Sequence, residues 1–319
     1  MLAGLLAALG AGLLWGLVFL APLVLGEYPG FMLAVGRYLA FGVLALGLAW
    51  FDRHALGRLS RADWIEAARL ALVGNLLYYA TLATAIQLAG APLPTLIIGT
   101  LPVVIAVCAN LADRGGGDAV RWSRLLLPLV LILAGLLVVH GDSGGGADAS
   151  LHTDTLPGLA FAVLALACWT WYPIRNSRWL RARGPGLSRP WATAQGLATL
   201  PIALLAGIGY AAWNELVPGS SFDWPLGPRP ALFAGMCLLL GLAASWLGTL
   251  LWNKASHLLP AALVGQMIVF ETLAALLYAF IWYQRWPTLA EAAGIALLVA
   301  GVSFGVRVFR RGQDGRAEG

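Results

Sequence analysis

The hydrophobic positions of this chain come in long runs, interrupted by short polar stretches. Ten runs lie at approximately 2–25, 29–50, 66–88, 92–112, 124–141, 156–174, 190–211, 231–252, 260–282 and 290–309. A helix needs about 20 mainly apolar residues to cross the hydrocarbon core of a bilayer, so the pattern predicts an all-α integral membrane protein of ten spanning helices. The links around Ala89–Ala91 and Asn253–Leu259 are very short. Pro92, Pro94 and Pro260 stand at the following helix starts, where a missing N–H is tolerated. The first run lacks the basic flank and small-residue cleavage site of a signal peptide, and it reads as the first spanning helix.

Composition agrees. The 319 residues are 60% hydrophobic and 11% charged, where a soluble domain carries about a quarter charged residues. Mean hydropathy is +0.80. A net charge of +5 in a soluble protein would suggest a nucleic-acid partner; here the placement of the charge answers otherwise. With a cytoplasmic N-terminus, the segments 51–65, 113–124, 175–189 and 253–259 and the tail from Arg307 hold all the basic residues except Arg37, Arg69, Arg229 and Arg285. Only Arg229 and Arg285 fall in opposite loops, which is the positive-inside distribution. No nucleic acid is implied. All the basic residues but Lys254 are Arg, which fits GC-rich bacterial coding. The expectation is a multi-pass protein of the bacterial inner (plasma) membrane, with both termini cytoplasmic.

Ten helices divide into five and five. An odd number per half obliges the second half to enter from the opposite face, giving two inverted repeats. Residues 1–141 form the first repeat, 142–155 an acidic, Gly-rich periplasmic linker, 156–309 the second repeat and 310–319 a cytoplasmic tail. Faint echoes run in order: Trp15 with Trp169, Ala134-Gly135 with Ala300-Gly301, and Ala85 through Pro102 with Ala255 through Thr272.

These pieces resemble the EamA family of the drug/metabolite transporter superfamily. The similarity rests on LLWGLVF in helix one, GRYLAFGVLAL in helix two, LATAIQLAGAPLPTLIIGTLPVVIAV across three and four, and IVFETLAALLYAFIWYQRWPTLAEAAGIALLVAGV across nine and ten. The family's usual Glu-Pro in helix nine is Glu271-Thr272 here, and Gln284 stands where an acid is common just beyond that helix. The resemblance implies a secondary transporter whose helices one, three, four, six, eight and nine surround a central cavity.

Glu271 is the one carboxylate deep within a run. Such a group must face the protein interior or a water-filled cavity, as a substrate-amine or proton site or as a structural acid bonded to a neighbouring helix. Arg37 has two readings: its stem snorkels outward, or it anchors a substrate carboxylate. Ten of the fourteen tryptophans, Trp179, Trp191, Trp252 and Trp286 among them, lie at run ends or in loops, where interfacial belts explain them. Trp15, Trp169, Trp171 and Trp246 lie inside runs, and with Tyr78, Tyr79 and Tyr172 they suggest a ring-lined chamber suited to flat or cationic ligands. Thr100 and Gln266 add polar atoms. The substrate-binding set is therefore Trp15, Tyr78, Tyr79, Thr100, Trp169, Trp246, Gln266 and Glu271. Gly12/Gly16 and Gly301/Gly305 have the spacing that lets helix backbones approach, within a monomer or in a weak homodimer.

Enzyme chemistry finds no support. Gly301-Val302-Ser303-Phe304-Gly305 matches a hydrolase elbow only in letters, because it lies in a membrane helix and His54, His140, His152 and His257 are out of reach. No HExxH, phosphate-binding loop or dinucleotide fingerprint occurs. Cys108, Cys168 and Cys237 are scattered singly, without disulfide or zinc spacing. No cofactor or metal is expected. The reading is a secondary exporter of small metabolites, amino acids including aromatic ones, working by alternating access; within the family the rings look most like the exporters of the YddG type. The alternative is a multidrug or other metabolite exporter of the same fold, coupled to protons through Glu271. A passive channel is the rival from another class. Partners are the substrate and membrane lipids.

Overall fold

The computed structural model describes residues 1–89, 92–112, 122–143, 155–184, 186–216 and 226–317. The regular structure among them is helical and groups by continuity into ten runs. α1 covers 2–24, tightening to a 3-10 turn at Leu17–Phe19; α2 is Gly30–Leu56; α3 covers 61–89; α4 covers 92–112 and is interrupted at Thr100. α5 is Trp122–Ser143, α6 Thr155–Arg183, α7 Ser188–Leu216 and α8 Pro230–Leu258. α9 covers 261–282 with an interruption at Ile268, and α10 is Leu289–Ala317. Residues 144–154, most of the expected linker, lie outside the described residues, as do 90–91 in the link between α3 and α4.

Among the described residues, six stretches are long and apolar enough to cross a membrane: Leu2–Phe19, Gly30–Leu56, Leu156–Arg183, Ser188–Leu216, Pro230–Leu258 and Leu263–Trp282. Leu125–Val138 and Leu289–Gly305 are shorter apolar helices. Their outward faces are as apolar as their inward ones. On α1, Leu2, Leu6, Leu9 and Leu13 are exposed while Ala7, Ala8, Ala11 and Trp15 are buried. On α5, Leu126, Val130, Leu133 and Leu137 are exposed while Leu125, Leu129, Ile132 and Leu136 are buried. Helices apolar all round belong in a hydrocarbon solvent.

Several helices outrun the apolar stretches that predict them. α2 continues from 50 to Leu56, α6 from 174 to Arg183, and α10 beyond 309 to Ala317. α3 starts at Arg61 rather than 66, where Ser60 and Asp63 form a reciprocal capping box that satisfies free N–H groups of the first turn. Hydropathy measures the lipid-soluble part of a helix, whereas hydrogen bonding carries it on until a cap or a break ends it.

Both α3 and α8 contain a seven-residue π-helical segment, Ala71–Leu77 and Gly241–Leu247. Such i→i+5 turns are rare and gather at functional places. Each turns a polar side chain toward a neighbour: Asn75 Nδ2 donates to Thr199 Oγ1 on α7 at 3.1 Å, and Ser245 Oγ accepts from Arg37 Nε on α2 at 2.9 Å. The helix pairs also match. α2 lies on α7 and α5 on α10; α3 lies on α6 as α8 lies on α1; and α4 touches both α6 and α9.

Small residues permit the closest approaches. A Cβ on Gly12 would come within 2.5 Å of Phe270 Cβ and 2.9 Å of the Glu271 backbone nitrogen, and one on Gly16 within 2.6 Å of Ala274 Cβ. The Gly12/Gly16 pair therefore packs inside the monomer, seating α1 on α9. Gly135 and Gly301 do the same between α5 and α10, each against the other helix's backbone.

Candidate functional site

Rings from four helices meet in the interior. Trp169 on α6 lies at the centre, stacked on Tyr78 of α3 at 4.6 Å between centroids and on Tyr172 of its own helix at 5.0 Å. Trp15 on α1 meets Trp169 edge-on at 5.4 Å and leans on Trp252 of α8 at 5.0 Å. Trp15 Nε1 donates to the Ala244 carbonyl in the α8 π-segment at 2.9 Å. Gly74 and Gly248 allow these contacts, since a Cβ at either would fall on Tyr172 or Trp15. Offset and edge-on ring pairs each add about 0.5–1.5 kcal/mol beyond burial.

Next to this set are polar atoms without partners. Glu271, 8% exposed on α9, has Oε2 buried and unbonded. The indole nitrogens of Trp169 and Trp252 are likewise buried and unpartnered. Arg37 lies with its guanidinium carbon 5.0 Å from the Tyr38 ring and 5.5 Å from that of Tyr79. An unpaired buried polar group loses its hydration for nothing, so this concentration makes the interior the candidate site.

Four expected residues thus come together: Trp15, Tyr78, Trp169 and Glu271. Tyr79 stands beside them, edge-on to Tyr38 and under Arg37. Three face elsewhere. Trp246, in the π-segment, donates to Thr193 Oγ1 on α7 at 3.2 Å. Gln266 is 0% exposed and lies against Gly305 of α10, both amide atoms unpartnered. Thr100 bonds back to the Ile97 carbonyl at 2.7 Å, at the break in α4. A groove of about 670 Å³ opens between the end of α9 and α10, lined by Leu273, Leu277, Phe280, Trp286, Ile295 and Val299 among others; it faces outward, away from the ring set.

Residues 2–140 match the model of the EamA-like transporter family. Over 309 residues the chain is 45% identical to the inner membrane protein YtfF of Escherichia coli (strain K12), with 96% of each protein covered. The chain belongs to the EamA-like transporter family. It is accordingly a membrane transporter and not an enzyme. A solved structure described only as "Crystal structure of protein" superposes with a TM-score of 0.74 over 97% of this chain and 98% of that one, at 21% identity, and so shares its fold.

This EamA-like transporter also holds a second polar cluster, at its arginine-rich end, whose acids, amides and tryptophans are bonded to one another. Asp52 accepts from Arg189 at 2.5 Å and from Thr193 Oγ1 at 2.7 Å. Glu66 accepts from Arg175 at 2.5 Å, and Asp63 from Arg183 and from Trp179 Nε1, the latter at 3.0 Å. Asn176 accepts from Trp191 Nε1 at 2.8 Å and from Gln195 at 3.3 Å and donates to Asn253 at 2.8 Å. Burial pushes the Asp63 carboxyl up, but bonds from Ser60 and Trp179 and the Arg183 charge outweigh it and hold the group below its usual range. The belt assignment is corrected for three tryptophans. Trp179 and Trp191 are buried here and stacked, and Trp252, 1% exposed, belongs to the ring set. Trp50, Trp122, Trp213, Trp282 and Trp286 are exposed, as a belt requires.

Proposed function

We propose that the protein exports small metabolites, most of all amino acids including aromatic ones, across the bacterial inner membrane by alternating access. One observation carries the reading: rings from α1, α3, α6 and α8 converge beside an uncompensated carboxylate on α9. Trp15, Tyr78, Tyr79 and Trp169 form the walls, a ligand replaces ring–ring contacts as it enters, and Glu271 takes its ammonium. Trp246, Thr100 and Gln266 serve, in this reading, in the helix breaks and turns around the site.

The same proposal assigns ten spans in two inverted five-helix repeats, 1–141 and 156–309, joined by a periplasmic linker over 142–155, with both termini and the tail from 310 cytoplasmic. The reciprocal helix pairs and the two π-segments, which begin 170 residues apart, support it. The arginine-rich end is then the cytoplasmic one, in keeping with the positive-inside rule. Rocking of one bundle against the other opens the site to each side in turn.

Purified protein in liposomes is expected to give saturable uptake of phenylalanine, tryptophan or threonine. Leak equal with and without protein removes the substrate claim, and ohmic, non-saturating flux makes the protein a channel. A second reading, export of cationic or aromatic drugs with protons coupled through Glu271, draws on the same acid among rings. It predicts toxin resistance on overexpression, and a Glu271→Gln variant with unchanged transport rate and pH response takes the coupling role away.

A further inference from the structure

Six charged side chains are buried among the described residues: Arg37, Asp52, Asp63, Glu66, Glu271 and Glu291. Four of these are carboxylates with an arginine partner, namely Asp52 with Arg189, Asp63 with Arg183, Glu66 with Arg175 and Glu291 with Arg285. Arg37 and Glu271 are what remains. Neither pairs with the other nor with any other charge among the described residues, although both border the ring set: Arg37 lies over Tyr79, next to the Tyr78 that stacks on Trp169, and Glu271 packs against Gly12, one turn before the Trp15 that meets Trp169. A charge within a span is expensive to bury, and an unpaired one more so than a paired one. Two opposite charges open to one interior can together answer a ligand that carries both signs.

Arg37 is not explained by the scaffold. It lies about 10 Å along α2 from the helix start, at 1.5 Å per residue. It does not snorkel toward that end: at 7% exposure it is held inward by Ser245 and by the Tyr38 and Tyr79 rings. Nor does the bridge to Ser245 need a charge. In the other half, the neutral Asn75 and Thr199 make the corresponding link between π-segment and neighbouring helix. The Ser245 bond uses Nε only. The two Nη nitrogens make no hydrogen bond among the described residues and offer the paired donors that fit a carboxylate end-on.

We propose that Arg37 is a substrate-binding residue that receives the carboxylate of a zwitterion whose ammonium goes to Glu271, with the Trp169–Tyr78 rings packing on the substrate's side chain. This rests on the amino-acid reading above and narrows it. The preferred ligand carries both charges. A bare amine leaves Arg37 unanswered and is repelled by it, and a bare acid does the same at Glu271. A hydrogen bond to a charged group lost in this way corresponds to about a 10- to 100-fold loss of affinity.

The test is competition against labelled L-phenylalanine in proteoliposome exchange, with L-phenylalanine, phenethylamine and 3-phenylpropionate as competitors. L-threonine is run in the same way against 1-amino-2-propanol and 3-hydroxybutyrate. The wild type is expected to prefer each amino acid over both of its analogues by about 10- to 100-fold. Arg37→Gln is expected to bring the amino acid down to the level of its amine while leaving the amine's own affinity unchanged or improved, and Arg37→Lys to keep part of the preference. A merely structural arginine predicts that Arg37→Gln weakens acid, amine and zwitterion alike, and that outcome overturns the proposal. Wild-type protein that binds amine and amino acid equally also overturns it, while leaving transport of aromatic amines standing. If the wild type exchanges neither amino acid, the amino-acid reading itself fails and this one with it. Should Arg37→Gln not fold, the wild-type panel and Arg37→Lys decide on the same criterion.

Discussion

The ring-lined interior and the arginine-rich end are built from the same side chains and treat them in opposite ways. Both contain buried tryptophans, carboxylates, amides and arginine. At the arginine-rich end the tryptophan nitrogens of Trp179 and Trp191 donate to Asp63 and Asn176, and the buried acids there each meet a guanidinium. In the interior, Trp169, Trp252, Glu271 and Arg37 keep donors, acceptors or whole charges open. Composition alone does not tell the two clusters apart; completeness of bonding does. A bonded cluster fixes the positions of helices, whereas the open one, in the function proposed above, receives groups that come and go.

The contrast sets the order in which substitutions should hurt stability. Asn176→Ala should do the most damage. It removes three hydrogen bonds at a fully buried position and strands Trp191 Nε1, Gln195 and Asn253. Each stranded group costs about 1–3 kcal/mol, so a loss on the order of 3 kcal/mol or more in apparent unfolding free energy is expected in detergent. A thermal or denaturant unfolding series reads it. A loss below about 1 kcal/mol would mean that the bonded cluster does not hold the helices.

Gly12→Ala comes next. Its methyl group would lie 2.5 Å from Phe270 Cβ and 2.9 Å from the Glu271 nitrogen, so α1 and α9 must separate. Overpacking of this kind costs about 1–3 kcal/mol. Because the contact is at Glu271 itself, transport should fall along with stability. Gly16→Ala, against Ala274 one turn away, gives the same strain at one remove from the acid. Equal transport defects in the two variants would argue that helix spacing matters and the placement of Glu271 does not.

How much of this arrangement can be read from the letters follows from the same physics. Run lengths give the helices, because lipid imposes a length. Small-residue spacing at Gly12 and Gly16 gives a close helix contact but not its partner, which the structure shows to be α9. Rotation is what escapes. A soluble helix declares its buried face by its one apolar stripe, but α1 and α5 are apolar on both faces, so nothing in the sequence says which way a ring points. Trp252, at the end of an apolar run, reads as an interfacial residue and lies in the ring set. Arg37, near a helix start, reads equally as a snorkelling residue or as an inward anchor, and the structure turns it inward. The direction of Trp246 is hidden for a sharper reason: the π-segment around it adds a residue to the turn, turning its indole N–H toward Thr193 by an amount that hydropathy cannot register.

Glu271→Gln should separate the two regions most cleanly. Its carboxylate has no partner to strand, so apparent stability should shift by less than about 1 kcal/mol, in contrast to Asn176→Ala. Transport of the preferred substrate should nonetheless fall by at least about tenfold if a charge-assisted bond to the substrate is lost. Stability that collapses together with transport would place Glu271 in the scaffold and erase the distinction drawn here.

The smallest effect is expected from the pair at the opposite end of the molecule. Glu27, between α1 and α2, accepts two bonds from Arg229 ahead of α8, one of them at 2.6 Å, and the same arginine reaches the Val24 carbonyl. The Arg229 bond holds the Glu27 carboxyl below its usual value of 4.5. A depressed carboxylate stabilises the folded state above its unfolded value, and that contribution is lost as pH falls through the lower, folded one. Glu27→Gln should therefore match the wild type most closely in strong acid and differ from it most above about pH 4.5, where the contribution is fully present. Even there the difference should be slight, because water screens an exposed pair. Asp63, buried and held below its usual value of 3.8, obeys the same sign with a larger amplitude: Asp63→Asn should lose stability at neutral pH and approach the wild type as the medium is acidified. Unfolding curves of both variants between pH 3 and 7 compare the two ends directly. If Glu27→Gln proves as costly as Asp63→Asn at pH 7, bonding at the two ends is equivalent, and burial is not what makes the arginine-rich end rigid.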